Sequence, residues 1–118
     1  MKYMMLIFQG STPLPQTPEW DALPDAEKEA VFAGYQALNE NPNVTSGEQM
    51  QSPETATTVR VADGKVLTTD GPFVDTKESL NGYFIYEGDD LDAAIEVASK
   101  IPAARLGGAI EVRPIMEW

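Results

Sequence analysis

The longest apolar run in this chain does not alternate. Tyr3-Met4-Met5-Leu6-Ile7-Phe8 is apolar throughout, and its length and β-forming residues predict a strand with both faces apolar. From Gly10 to Trp20 the chain carries Pro13, Pro15 and Pro18, which predicts a loop without helix, tacked to the body by Trp20. Pro24 suits a first helical position, and Asp25, Glu27 and Glu29 suit the positive end of a helix dipole. Val31, Tyr35 and Leu38 then fall on one helical stripe, with Phe32 alongside, and Asn41-Pro42 ends the helix.

Val44 to Met50 predicts a further, weaker strand. Thr55–Val61 and Val66–Thr69 are β-rich runs flanking Asp63-Gly64, the strongest short-range signal for a hairpin. Asp70 to Leu80 predicts a second long loop. Tyr83-Phe84-Ile85-Tyr86 is another strand apolar on both faces. Asp89 and Asp90 are placed to cap a helix striped by Leu91, Ala94, Ile95, Ala98 and Ile101, which Pro102 stops. Ala109 to Ile115 closes the chain as a strand.

The order is strand, helix, strand, hairpin, strand, helix, strand. It predicts an α+β fold, a ferredoxin-like βαββαβ sandwich with an extra β-hairpin and both helices on one sheet face. The other face then keeps apolar side chains from Tyr3–Phe8 and Tyr83–Tyr86. Large open apolar patches are rare on monomers, so a second copy is expected to cover it.

Composition narrows the function classes. At 118 residues the chain predicts a single domain over 1–118. Eight Lys and Arg against nineteen Asp and Glu give a net charge of −11, which argues against nucleic acid and anionic membrane as partners. There is no Cys and no His, so thiol nucleophiles, imidazole bases and Cys/His zinc sites are excluded. No leader or apolar span is recognisable, and a cytoplasmic location is expected. No cofactor and no metal is expected; carboxylates alone would hold magnesium or calcium only weakly.

Candidate chemistry therefore rests on carboxylates. Asp70-Gly71-Pro72-Phe73 stands out, because the backbone N–H that Asp70 would ordinarily accept from is missing at Pro72. Asp70 either caps a later N–H, with Phe73 plugged into the core, or keeps a free carboxylate. Asp75 and Glu78 have capping-box spacing, so Glu78 is either local structure or part of a polar cluster with Asp70 and Lys77. Glu48, Arg60, Glu111 and Arg113 are charges inside expected strands. They face water or are enclosed by a second copy, where they must pair. The candidate bases are Asp70, Glu78 and Glu48, and the candidate ligand contacts are Arg60, Lys77, Phe73 and Tyr83. Tyr3, Tyr83 and Tyr86 would share the enclosed face or fill the core. Lys77 or Glu78 would edge a pocket that Arg60 enters.

The chain resembles the YCII-related family in its DGPF-type branch. The resemblance rests on Met1–Ile7, Ser46-Gly47-Glu48, Ala56–Arg60, Asp63-Gly64-Lys65, Thr69–Phe73, Thr76-Lys77-Glu78, Gly82-Tyr83 and Glu111–Met116. It implies a dimeric α/β barrel of ferredoxin-like protomers and a bacterial source. Families of related fold include muconolactone isomerases, antibiotic monooxygenases, and dehalogenases or hydrolases of lactone-type compounds. Better-understood YCII relatives carry a His–Asp pair, which this chain without His does not have. Three classes of function remain open. One is a small cofactor-independent enzyme acting on a cyclic or carbonyl-bearing metabolite. Another is a ligand-binding or regulatory accessory dimer of the kind encoded beside alternative sigma factors. A dimeric interaction module is the third possibility.

Overall fold

The computed structural model describes residues 1–73 and 79–118. Strand β1 (Lys2–Phe8) leads through a one-turn helix α1 (Pro18–Asp21) to helix α2 (Asp25–Glu40) and strand β2 (Val44–Gln49). A hairpin of β3 (Thr57–Ala62) and β4 (Lys65–Asp70) follows. Then come β5 (Leu80–Glu87), helix α3 (Leu91–Ser99) and β6 (Ala109–Pro114). The main sheet has the order β2-β5-β1-β6, and all its neighbours are antiparallel. This is the ferredoxin-like α+β arrangement, with the hairpin inserted between its second and third strands.

The unbroken apolar runs occupy the two central strands, as a doubly apolar strand requires. Register pairs Tyr3 with Tyr86 and Met5 with Phe84, and Val112 of β6 lies across from Met5 on the other side. Their side chains form the core with Ile7, Leu38, Ala94, Ala98 and Ile101 beneath α2 and α3. The opposite parity (Met4, Leu6, Phe8, Tyr83 and Ile85) makes a half-buried apolar strip on the helix-free face. Tyr3 and Tyr86 therefore belong to the core face and only Tyr83 to the open one. Of the two roles expected for these tyrosines, core filling holds for Tyr3 and Tyr86, and the two-residue repeat of the strand leaves Tyr83 alone on the open face.

Two local readings also change. Pro18 takes the first turn of α1, where its missing N–H costs nothing, and the Thr17 hydroxyl accepts from the Trp20 N–H at 3.2 Å. The proline-rich stretch thus holds a short helix, and it sets Trp20 into the body, edge-on to Phe32 at 5.5 Å. In α3 Asp90 caps as expected, accepting from the Ala93 N–H at 2.8 Å. Only the Ala94, Ala98 and Ile101 side of the stripe is buried, while Leu91 and Ile95 stand half exposed. The small alanines let the helix backbone approach the sheet, and the larger residues are left at the margin.

The hairpin turns through Asp63 and Gly64, both at positive φ (52° and 75°), the primed geometry that Asp-Gly favours. Its strands pair with each other and, among the described residues, with no third strand. The molecule measures 51 × 42 × 19 Å with a radius of gyration of 16.2 Å. A compact chain of this length has about 13.5 Å, so the hairpin reads as an arm leaving the body.

Candidate functional site

A cavity of about 330 Å³ lies between the N-terminal half of the sheet, α2 and the proline-rich loop. Trp20, Phe32, Tyr35 and Phe84 form aromatic walls, and Gln9, Asn39, Gln49 and Asn81 supply amides at the rim. Tyr35 stacks over Phe84 with centroids 6.4 Å apart. Burial pushes the Tyr35 phenol above its ordinary value, so it remains a protonated donor at neutral pH. The Gln9 side-chain amide donates to the Thr12 carbonyl at 3.0 Å and pins the loop that closes one wall. The Thr12 hydroxyl oxygen is buried there without a hydrogen-bond partner among the described residues.

Two strand glycines make room for this cavity. Gly47 faces Phe84 across β2 and β5, and a Cβ at Gly47 would overlap the Phe84 ring. A Cβ at Gly82 would sit 2.7 Å from the Glu48 carbonyl oxygen. Glycine inside a strand often marks a close approach, and this was the available sequence signal for the site.

The predicted residues fall in three places. Glu48 is exposed at the sheet edge, and its backbone borders the cavity. Register sets it opposite Tyr83, which puts the pair on the open sheet face rather than under the helices. Glu111 lies in the same cross-sheet row, opposite Leu6, and Arg113 bonds to it at 3.0 Å. Arg60 and Phe73 meet at the arm, with the guanidinium carbon 4.7 Å from the ring centroid. Phe73 is 70% exposed, so the expected core plug is corrected. It lies past the end of β4 at the surface of the arm root, where Arg60 covers one of its faces. Phe73 also lines a cleft of about 550 Å³ at the arm root with Phe8, Pro72 and Leu80.

Asp70 ends β4 opposite Thr57 and is exposed. Its carboxylate makes no hydrogen bond among the described residues. The root is instead closed by the Gly71 N–H to the Ala56 carbonyl at 2.7 Å and the Thr58 hydroxyl to the Gly71 carbonyl at 2.7 Å. Lys77, Glu78 and Asp75 lie outside the described residues. Among the described residues the structure thus joins Glu48 with Tyr83 and Arg60 with Phe73, in two separate places. No described helix is long and apolar enough to cross a membrane.

Comparison with known proteins finds an uncharacterized protein of Rhizobium meliloti (strain 1021), 38% identical over 61 residues. That match covers 51% of this chain and 49% of the relative, so it spans about half the length of each. The YCII-related domain matches over residues 1–118, and with the ferredoxin-like sheet order this places the chain in the YCII-related family.

Proposed function

We propose that this protein binds a small, uncharged, ring-bearing molecule in the cavity beneath α2. The observation that carries this reading is the lining among the described residues: four aromatic walls, several amides, no Lys or Arg, and Glu48 at the sheet edge as the charged residue that borders it. Apolar walls with a few convergent polar groups are the usual form of a small-molecule site. The Tyr35 phenol and the amides would hold a carbonyl or hydroxyl of the ligand, and the lack of a cation among the described lining residues disfavours anions. On this reading the chain is an accessory binding domain, one YCII-related unit of the DGPF-type branch, working as two copies joined through the open sheet face.

A second, enzymatic reading rests on one further observation. Glu48 and Tyr83 stand side by side on the open face, which a second copy would enclose. Enclosure would take Glu48 out of water and place it as a base toward a carbonyl-bearing substrate. A thermal-shift screen of neutral cyclic lactones, ketones and phenols separates the two. Binding that Tyr35→Phe weakens and Glu48→Gln leaves intact, without turnover, supports the binding role. Turnover lost only in Glu48→Gln supports the enzyme. No stabilising compound in the screen would count against both.

A further inference from the structure

The amides at the rim of the aromatic cavity also border a second space. A cleft of about 870 Å³ lies beyond them, and Gln9, Leu14, Pro15, Gln49 and Asn81 line both it and the cavity. A molecule seated against the aromatic walls therefore has adjoining room for a substituent. The lining changes character across that shared rim. No aromatic residue lines the cleft among the described residues, and Gln16 and Gln51 join the three rim amides there. The side-chain amides of Gln16, Gln49, Gln51 and Asn81 make no hydrogen bond among the described residues. No Lys or Arg lines the cleft among the described residues, and the Glu54 carboxylate on its wall accepts from the Ser52 hydroxyl at 2.9 Å.

Gln16 sits there on a strained backbone. The Thr17 N–H donates to the Leu14 carbonyl at 3.2 Å and closes a turn with Pro15 second and Gln16 third, where Gln16 has φ 70°. In a type II turn that third position ordinarily takes glycine or asparagine, because other side chains are strained at positive φ. The Thr17 hydroxyl donates to the same carbonyl at 2.6 Å, so the turn is held by bonds that leave the Gln16 side chain out. The fold gives no reason for glutamine here, and strain of this kind collects at ligand sites. We infer that the cleft is a second subsite and that the ligand is a ring bearing a neutral, polyhydroxylated substituent, as in an aryl glycoside. A primary amide both donates and accepts, as a sugar hydroxyl does, so the two pair in either sense. An anionic substituent would meet Glu54 and no cation, and an alkyl chain would strip the amides of water without replacing it. The inference rests on the cavity being a small-molecule site, and adds to it the ligand class and the contacts Gln16 and Gln51.

The test is calorimetric titration of the intact chain with phenol, phenyl β-glucoside and phenyl β-glucuronide. The glucoside is expected to bind at least tenfold tighter than phenol, about 1.4 kcal/mol, and the glucuronide to lose that gain. In the double variant Gln16→Gly, Gln51→Ala the ratio of glucoside to phenol affinity should fall to about one. Its thermal transition should be retained, because glycine suits the turn. Gln51→Ala alone, outside the turn, should lower the ratio in the same direction. A wild-type ratio near one, a ratio that the variants keep, or an equal gain from the glucuronide would overturn the second subsite and spare the cavity. Failure of all three compounds to bind would overturn both.

Discussion

The four-stranded sheet and the β3–β4 arm are built from the same β-forming residues, yet one is buried and the other stands in solvent. The difference lies in what each strand can lean on. In β1 and β5 alternate side chains meet α2 and α3, and Tyr3 and Met5 are almost wholly covered. In β3 and β4 the same alternation leaves Val59, Val61 and Val66 without a helix over them. Both are held by ladders of antiparallel backbone hydrogen bonds. Stability therefore differs through side-chain burial and not through hydrogen bonding, whose net worth per bond is small.

The largest expected effect follows directly. Met5→Ala removes a side chain with no solvent exposure, and should cost about 2–5 kcal/mol in chemical denaturation. Val61→Ala on the arm should stay within about 0.5 kcal/mol when measured under monomeric conditions. Equal losses would mean that the arm already packs within one chain.

Gly47→Ala comes next, because its Cβ must displace the Phe84 ring that floors the cavity. The cost should be about 1–3 kcal/mol, the range for overpacking a filled site. Gly64→Ala, in the arm, meets no atom but is held at φ 75°, so its loss is one of backbone strain alone. A thermal scan of the two variants with and without a cavity ligand distinguishes them: only Gly47→Ala should also lose ligand stabilisation.

Titration provides a milder contrast. The folded Tyr35 phenol has a raised pKa through burial, so the folded state holds its proton to higher pH than the unfolded state does. The associated stability is fully present below the ordinary value near 10 and falls as pH rises through the folded value. Alkaline denaturation should therefore steepen in the wild type and be blunted in Tyr35→Phe. An identical alkaline profile in the two proteins would contradict this account.

Much of the fold was legible because parity and punctuation are local. Asp63-Gly64 specified its turn, Asp90 its cap, and the two unbroken apolar runs the central strands. What was not legible depended on which neighbour a side chain meets. The size and apolar character of Phe73 predict a core position, but the residue follows β4 at an exposed arm root. Leu91 and Ile95 were counted into a stripe whose buried side turned out to be alanine. The cavity was missed because it is made by distant segments, and its only local trace was the pair Gly47 and Gly82.

The smallest effect falls on the pair that joins the arm to its root. Phe73 keeps one ring face in solvent and offers the other to Arg60. An exposed cation–π contact is worth about 0.5–1 kcal/mol, far below the cost of emptying a core site. Phe73→Ala should lower stability by no more than that, and Arg60→Ala should do the same. Because the two groups act on each other, the double variant should lose little beyond either single change. That cycle, read by denaturation at a concentration where the chain is monomeric, separates a local contact from a buried one. A loss of several kcal/mol from Phe73→Ala alone would show that the ring is covered in solution, and the arm would then have to fold back onto the body.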